Sequence, residues 1–223
     1  MRKPFKAIVE KIPPAYIERA LAISLLNTEF KEVRAATCFE SREELWRDIF
    51  SKFSGEPVDV FEFGVFEGYS IKEFAALNAH TDSRFFGFDS FLGLPEDWTQ
   101  NKNKGAFDVN GLVPQINDSR VSFVEGWFQN SLAGFLSRID VKNNFFVHYD
   151  ADIYSATLYV MILLDALKIP YYAVFDEFTG HETRALYNYI QVSRADVRFF
   201  GRVGDKNYPS QVSCKITPQP VYA

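Results

Sequence analysis

VDVFEFGVFEGYSIKEFAALNAH, residues 58–80, is the stretch on which the fold turns. Its opening VDVFEFGV is rich in Val and Phe, follows Pro57 and runs into Gly64, the pattern of a buried strand. Gly64 and Gly68 then make a turn, and SIKEFAALNAH behind it has helical spacing. The order strand, turn, helix recurs down the chain. RFFGFDS (84–90) reads as a second strand, and RVSFVEG (120–126) as a third with helical WFQNSLAGFLSRI behind it. NNFFVHYD (143–150) is a fourth, followed by helical SATLYVMILLDAL. YYAVFDE (171–177) is a fifth, followed by helical HETRALYNYIQVSR. DVRFFGRV (196–203) and SQVSCKIT (210–217) suit a closing pair of strands joined by the turn residues Gly204, Asp205, Asn207 and Pro209. Such alternation implies an α/β, Rossmann-like fold. We expect a mostly parallel sheet of seven strands, helices on both faces and one antiparallel strand in the edge region.

Upstream, PAYIERALAISLLN (14–27) and SREELWRDIFSKF (41–53) read as helices. In the second, Ser41 and Glu44 have capping-box spacing, and Leu45, Ile49 and Phe53 share one face. Residues 1–55 therefore read as an N-terminal helical extension and 56–223 as the α/β domain. A chain of 223 residues, 47% hydrophobic and 24% charged, suits this size. A net charge of −5 argues against nucleic acid or an anionic membrane as partner. Cys38 and Cys214 lie far apart without metal-type spacing, which fits a cytoplasmic chain rather than a disulfide framework. No stretch reaches the roughly 18 apolar residues of a membrane span, and the start lacks the apolar core of a signal peptide.

In an open parallel sheet, ligands sit beyond the carboxyl ends of the strands. Acids cluster there: Glu62 near the end of the first strand, then Asp89, Glu125, Asp150, and Asp176 with Glu177. The turn spaces its glycines as G-x-x-x-G, whereas a nicotinamide fingerprint is G-x-G-x-x-G, and bulky Phe66 stands where its second glycine would be. An acid-rich rim suits a ligand with a cationic part and no phosphates. S-adenosylmethionine is such a ligand. Asp89, with Ser90 beside it, is placed to accept the ribose hydroxyls, and Ser70 near the helix start to donate to the methionine carboxylate. The plainer reading of Gly64 and Gly68 is a tight strand–helix turn and nothing more.

FEFGVFEGYSI, FFGFDSFLGLPEDW, KGAF, VEGWF, HYDADIYSAT, FDEF and HETRA follow one another in this order. Together they resemble the macrocin O-methyltransferase-like (TylF-type) family of class I methyltransferases, from about Arg42 to Tyr189. The resemblance implies an S-adenosylmethionine-dependent enzyme that methylates a hydroxyl of a small molecule, on a sugar or glycosylated secondary metabolite, with Mg²⁺. It places Glu62, Gly64, Gly68, Ser70 and Asp89 on the cofactor motifs and Gly126 and Trp127 near the adenine. It places Asp150, Asp176 and Glu177 on the metal site; the family commonly has two adjacent Asp residues where this chain has Asp176-Glu177.

Methyl transfer to an alcohol needs the acceptor oxygen deprotonated or nearly so, and a bound cation lowers the pKa of such a group by many units. Oxygen ligands from Asp150, Asp176 and Glu177 suit Mg²⁺. Asp150 also lies near the cofactor and could take the proton. The alternative for it is a solvated strand end. Asp152 reads either as a neighbour of the site or as an N-cap of the next helix. Without a metal the base would be a histidine. His148 alternates within a strand and reads as a core residue, so His181, at a predicted helix start on the rim, is the better candidate for contact with the acceptor. Two other readings share the fold. One is a non-catalytic S-adenosylmethionine-binding member, the other a nicotinamide-dependent oxidoreductase. The acceptor is a hydroxylated small molecule of unread identity, and a homo-oligomer is possible. Loop 91–118, with Trp98, Phe107 and Pro114, reads as a lid or substrate wall.

Overall fold

The computed structural model describes residues 12–99 and 101–220. Helix α1 (Pro14–Thr28) leads through a 3₁₀ turn (Lys31–Ala35) to a short strand β1 (Thr37–Phe39) and helix α2 (Arg42–Ser51). Then come β2 (Val58–Phe63), α3 (Tyr69–Leu77), β3 (Arg84–Asp89), β4 (Val121–Glu125) and α4 (Phe128–Leu136). The chain closes with β5 (Asn144–Tyr149), α5 (Tyr154–Asp165), β6 (Tyr171–Phe175), α6 (His181–Ser193), β7 (Asp196–Asp205) and β8 (Tyr208–Thr217). The strands form one sheet in the order β1-β7-β8-β6-β5-β2-β3-β4. Only β8 runs against its neighbours, β6 and β7. The sheet has eight strands rather than the expected seven. Thr37–Phe39 pairs in parallel with Gly201–Val203, and a three-residue strand at a sheet edge carries too little pattern to be read from sequence.

Alternation along the strands builds a core on each face of the sheet. Phe61, Phe63, Phe88, Val147, Tyr149 and Phe175 face one side, with Leu132 of α4, Val160 and Leu164 of α5 and Leu186 of α6. Val60, Phe85, Phe146 and Val174 face the other, under Trp46 and Ile49 of α2 and Phe74 of α3. Burying an aromatic side chain stabilises the fold by about 1.5–3 kcal/mol. The 23 Phe of the chain serve mainly here. Leu25 and Leu26 of α1, with Phe30 and Val33, belong to the first core, so residues before 55 help to close it. The Ser41 hydroxyl accepts from Glu44 N at 3.2 Å, as the capping-box spacing predicts, while Glu44 accepts from Glu40 N at 3.0 Å, one residue before the cap.

The strand order reverses between β5 and β2: β3 and β4 continue to one side, β6 to the other. The crevice at that switch is where an open sheet of this kind binds ligands.

Candidate active site

Ladder hydrogen bonds carry the strand register out to the rim. Gly64 N donates to Phe88 O, Gly126 N to Asp89 O, Asp150 N to Phe63 O and Asp176 N to Tyr149 O. These bonds line up the turns after five strands around one cavity of about 420 Å³. Small-molecule sites span roughly 300–1,000 Å³. Among the sequence-predicted residues, Gly64, Asp89, Ser90, Gly126, Trp127, Asp150, Asp176 and Glu177 line it.

The side built by β2, β3 and β4 is made largely of backbone. Gly64 has φ +95°, and a Cβ there would overlap the carbonyl oxygen of Asp150. The glycine therefore lets the turns after β2 and β5 touch across the switch point. Asp89 Oδ2 accepts from Val65 N at 2.8 Å and from Phe66 N at 2.9 Å, while Oδ1 accepts from Phe91 N at 2.8 Å. These bonds hold Phe66 at φ 52° and Phe91 at φ 55°, backbone that residues with a Cβ rarely adopt. A carboxylate offers about four lone-pair sites. Asp89 thus organises the turn and keeps room for roughly one further donor, fewer than the two ribose hydroxyls expected of it.

The side built by β5 and β6 is made of clustered carboxyl groups. Asp150, Asp152, Asp176 and Glu177 all line the cavity, and Lys102 is the one cation among the described lining residues. Burial and then Asp176 push the Asp150 carboxyl well above its ordinary range. Burial, followed by Glu177 and Asp176, pushes Asp152 to about 7, and burial with Asp176 pushes Glu177 to about 7. Beneath them lies His148, fully buried. Its Nδ1 is 2.9 Å from Glu62 Oε1 and its Nε2 is 3.7 Å from Asp176 Oδ1. Burial works against the imidazolium, but Asp176 and Glu62 outweigh it and push its pKa up to about 10. His148 is therefore a core residue, as its place in the strand predicts, and one held between two carboxyl groups.

A crowd of carboxylates with one flexible lysine for company is what a divalent cation relieves. Donor atoms of His148, Asp150 and Asp176 lie within 4.8 Å of one another. His148 lies behind the cavity lining, with its Nδ1 against Glu62 Oε1 at 2.9 Å. Asp150 and Asp176 are the oxygen donors that fit an ion. Glu177 faces the same cavity from outside that close group.

Four expected residues lie outside the cavity lining: Glu62, Gly68, Ser70 and His181. Glu62 is buried against His148, and Ser70 is buried beside Glu62. The Ser70 hydroxyl is thus directed into the fold and not to a ligand carboxylate. Gly68 has φ +79° at the start of α3, and a Cβ there would press on Pro114. Its need for glycine is a turn conformation. His181 Nδ1 accepts from Tyr154 N at 3.1 Å, which makes His181 the cap of α5, and burial lowers its pKa. The capping role expected of Asp152 is therefore filled from another helix. Ile153 occupies the N-cap position, and Asp152, at φ 61°, turns its side chain to the cavity.

The sequence reading passed over part of the wall. Leu94 N donates to Ala106 O, Gly105 N to Leu94 O and Trp98 N to Lys102 O, so residues 92–99 and 101–108 pair as the two sides of an irregular hairpin arm. The arm puts Trp98, Lys102 and Phe107 over the cavity, as expected of a lid or wall. Glu96 accepts from the Ser155 hydroxyl at 2.7 Å and ties the arm to α5. Lys102 had no sequence signal of its own.

No protein-family model matches the chain, and no curated protein matches it in sequence. Solved structures do match in shape. The O-methyltransferase NovP superposes with a TM-score of 0.56 at 18% identity, over 80% of each chain. TomG from Streptomyces achromogenes, an O-methyltransferase solved with S-adenosylmethionine, superposes at 0.51 and 13% identity, over 91% of this chain and 90% of that one. The protein cmcI, solved with Mg and S-adenosylmethionine, superposes at 0.50 and 15% identity, over 80% of this chain and 72% of that one. At such identities the likeness is one of fold. The chain has the Rossmann-like fold of class I methyltransferases.

Proposed function

We propose that this chain is an S-adenosylmethionine-dependent O-methyltransferase acting on a hydroxyl of a small molecule, assisted by a divalent cation. One observation carries the reading. A single cavity at the sheet's switch point joins the Gly64 turn, Asp89 and the Gly126-Trp127 turn to four clustered carboxyl groups. The fold neighbours NovP, TomG and cmcI support it as O-methyltransferases or S-adenosylmethionine-bound proteins. The ordered motifs that resemble the macrocin family support a sugar or glycosylated metabolite as acceptor.

In this reading the β2–β4 side binds the cofactor. Asp89 holds the turn and accepts from the ribose, and Trp127 with Phe128 lines the adenine side. The β5–β6 side handles the acceptor. Asp150 and Asp176 would hold Mg²⁺, which lowers the pKa of a bound hydroxyl. Transfer forms a carbon–oxygen bond and breaks the carbon–sulfur bond, so the hydroxyl proton must go to a base. Asp152 is placed for it, because its carboxylate lines the cavity and has no protein hydrogen bond among the described residues. Trp98 and Phe107 of the arm shield the cavity from water and give the acceptor an apolar face.

Calorimetry tests the cofactor reading at once. S-adenosylhomocysteine should bind in the micromolar range and NAD should not. Binding of NAD alone would replace the methyltransferase reading with an oxidoreductase.

A further inference from the structure

Asp176 is held by a strand that carries no motif. β8 runs against its neighbours, so its beginning lies at the rim where the parallel strands bring their ends. Phe175 pairs with Val212, which sets Gln211 opposite Asp176. Gln211 is only 4% exposed, and its Nε2 donates to Asp176 Oδ1. The next residue back, Ser210, accepts from Phe178 N at 2.8 Å through its carbonyl. Two adjacent residues of β8 thus clasp the turn after β6. His148 Nε2, 3.7 Å from the same Oδ1, stands on the other side of it. Asp176 Oδ2 has no protein donor among the described residues.

We propose that Gln211 is a positioning residue: it engages Oδ1 of Asp176 and leaves Oδ2 presented to the cavity, preset as a ligand for a divalent cation. The proposal rests on the cation reading given above. The choice of side chain is informative. A lysine or arginine at 211 would cancel the charge that draws the cation, whereas an amide orients the carboxylate and leaves its charge intact. Gln211 Oε1 is buried without a partner.

The test uses the full chain, with Mn²⁺ titrated by electron paramagnetic resonance and S-adenosylhomocysteine by calorimetry, in wild type and in Gln211→Met. Loss of such an orienting partner costs on the order of tenfold in metal affinity. The expected result is a Mn²⁺ affinity about tenfold weaker, with S-adenosylhomocysteine affinity within about twofold of wild type. A merely structural role would weaken both together. If Gln211→Met fails to fold, Gln211→Asn withdraws the same donor by one methylene and should give the same split. A folded variant that binds Mn²⁺ as wild type does overturns the proposal. A wild type that binds S-adenosylhomocysteine but no Mn²⁺ removes the cation reading, and this proposal with it.

Discussion

The two halves of the cavity are built by opposite means. On the β2–β4 side the polar groups are satisfied within the protein: Asp89 accepts three backbone amides, and Gly64 packs against the Asp150 carbonyl. On the β5–β6 side four carboxyl groups crowd together, and burial with that crowding pushes two of them up to about 7. The first half is preorganised by hydrogen bonds that hold Phe66 and Phe91 in left-handed backbone. The second stores electrostatic repulsion that a cation or a proton must relieve. In the proposed function the first half binds the cofactor and the second handles the acceptor.

The most damaging way to break this contrast is Gly64→Ala. The new Cβ would strike the carbonyl of Asp150, and a φ of +95° strains any residue but glycine. Together these should cost roughly 4 kcal/mol of stability and abolish S-adenosylhomocysteine binding, seen by thermal unfolding and calorimetry. A stable, binding-competent variant would mean that the two halves do not touch as described.

Asp150→Asn should split them instead. The backbone contact with Gly64 survives, so S-adenosylhomocysteine affinity should stay within about threefold, while cation affinity falls at least about tenfold, or roughly 1.4 kcal/mol. Methylation should fall with it, and EDTA should reproduce the loss in wild type. An Asp150→Asn enzyme that works in EDTA would turn Asp150 into a strand-end residue.

Acidity sharpens the comparison further. Asp152 and Glu177 have pKa values raised on folding to about 7, so the folded, metal-free protein keeps protons there that the unfolded chain has lost. Stability should therefore fall as pH rises from about 5 through 7. Cation affinity should move the other way, since each carboxyl attracts a cation only once ionised, and Mg²⁺ should restore the lost stability at pH 8. Unfolding midpoints at pH 6 and pH 8, with EDTA and with Mg²⁺, give both signs. A midpoint that rises with pH in EDTA contradicts the repulsion.

The smallest effect belongs to His181→Ala. Without the Nδ1 acceptor for Tyr154 N, α5 loses its cap, worth about 1 kcal/mol. Binding of both ligands should be unchanged. A large fall in turnover with intact stability would bring His181 back as the base.

Strand–turn–helix alternation was legible because buried strands and amphipathic helices leave different periods in the sequence, and the acids stood at strand ends in plain view. So the residues that line the cavity through their own strand-end position, Asp89, Asp150, Asp176 and Glu177, could be named in advance. Ser70 and His181 could not be sorted from them. Their side-chain directions depend on where α3 and α6 dock, and that is decided by packing across the sheet. Asp152 shows the same limit from the other side. Sequence left it open between a neighbour of the site and a cap; His181 from a distant helix takes the cap, and Asp152 lines the cavity.

What the sequence determined by itself is therefore the α/β order and the carboxylates of the rim, because both are set by local pattern. What only the tertiary structure decided is how those carboxylates are held. The imidazole of His148 between Glu62 and Asp176, and the amide of Gln211 on Asp176, join strands β2, β5, β6 and β8. Residues 62 and 211 lie at opposite ends of the sheet-forming chain, and no local pattern connects them. They meet because β8 enters the sheet antiparallel beside β6 and brings its first residues to the rim where the other strands end.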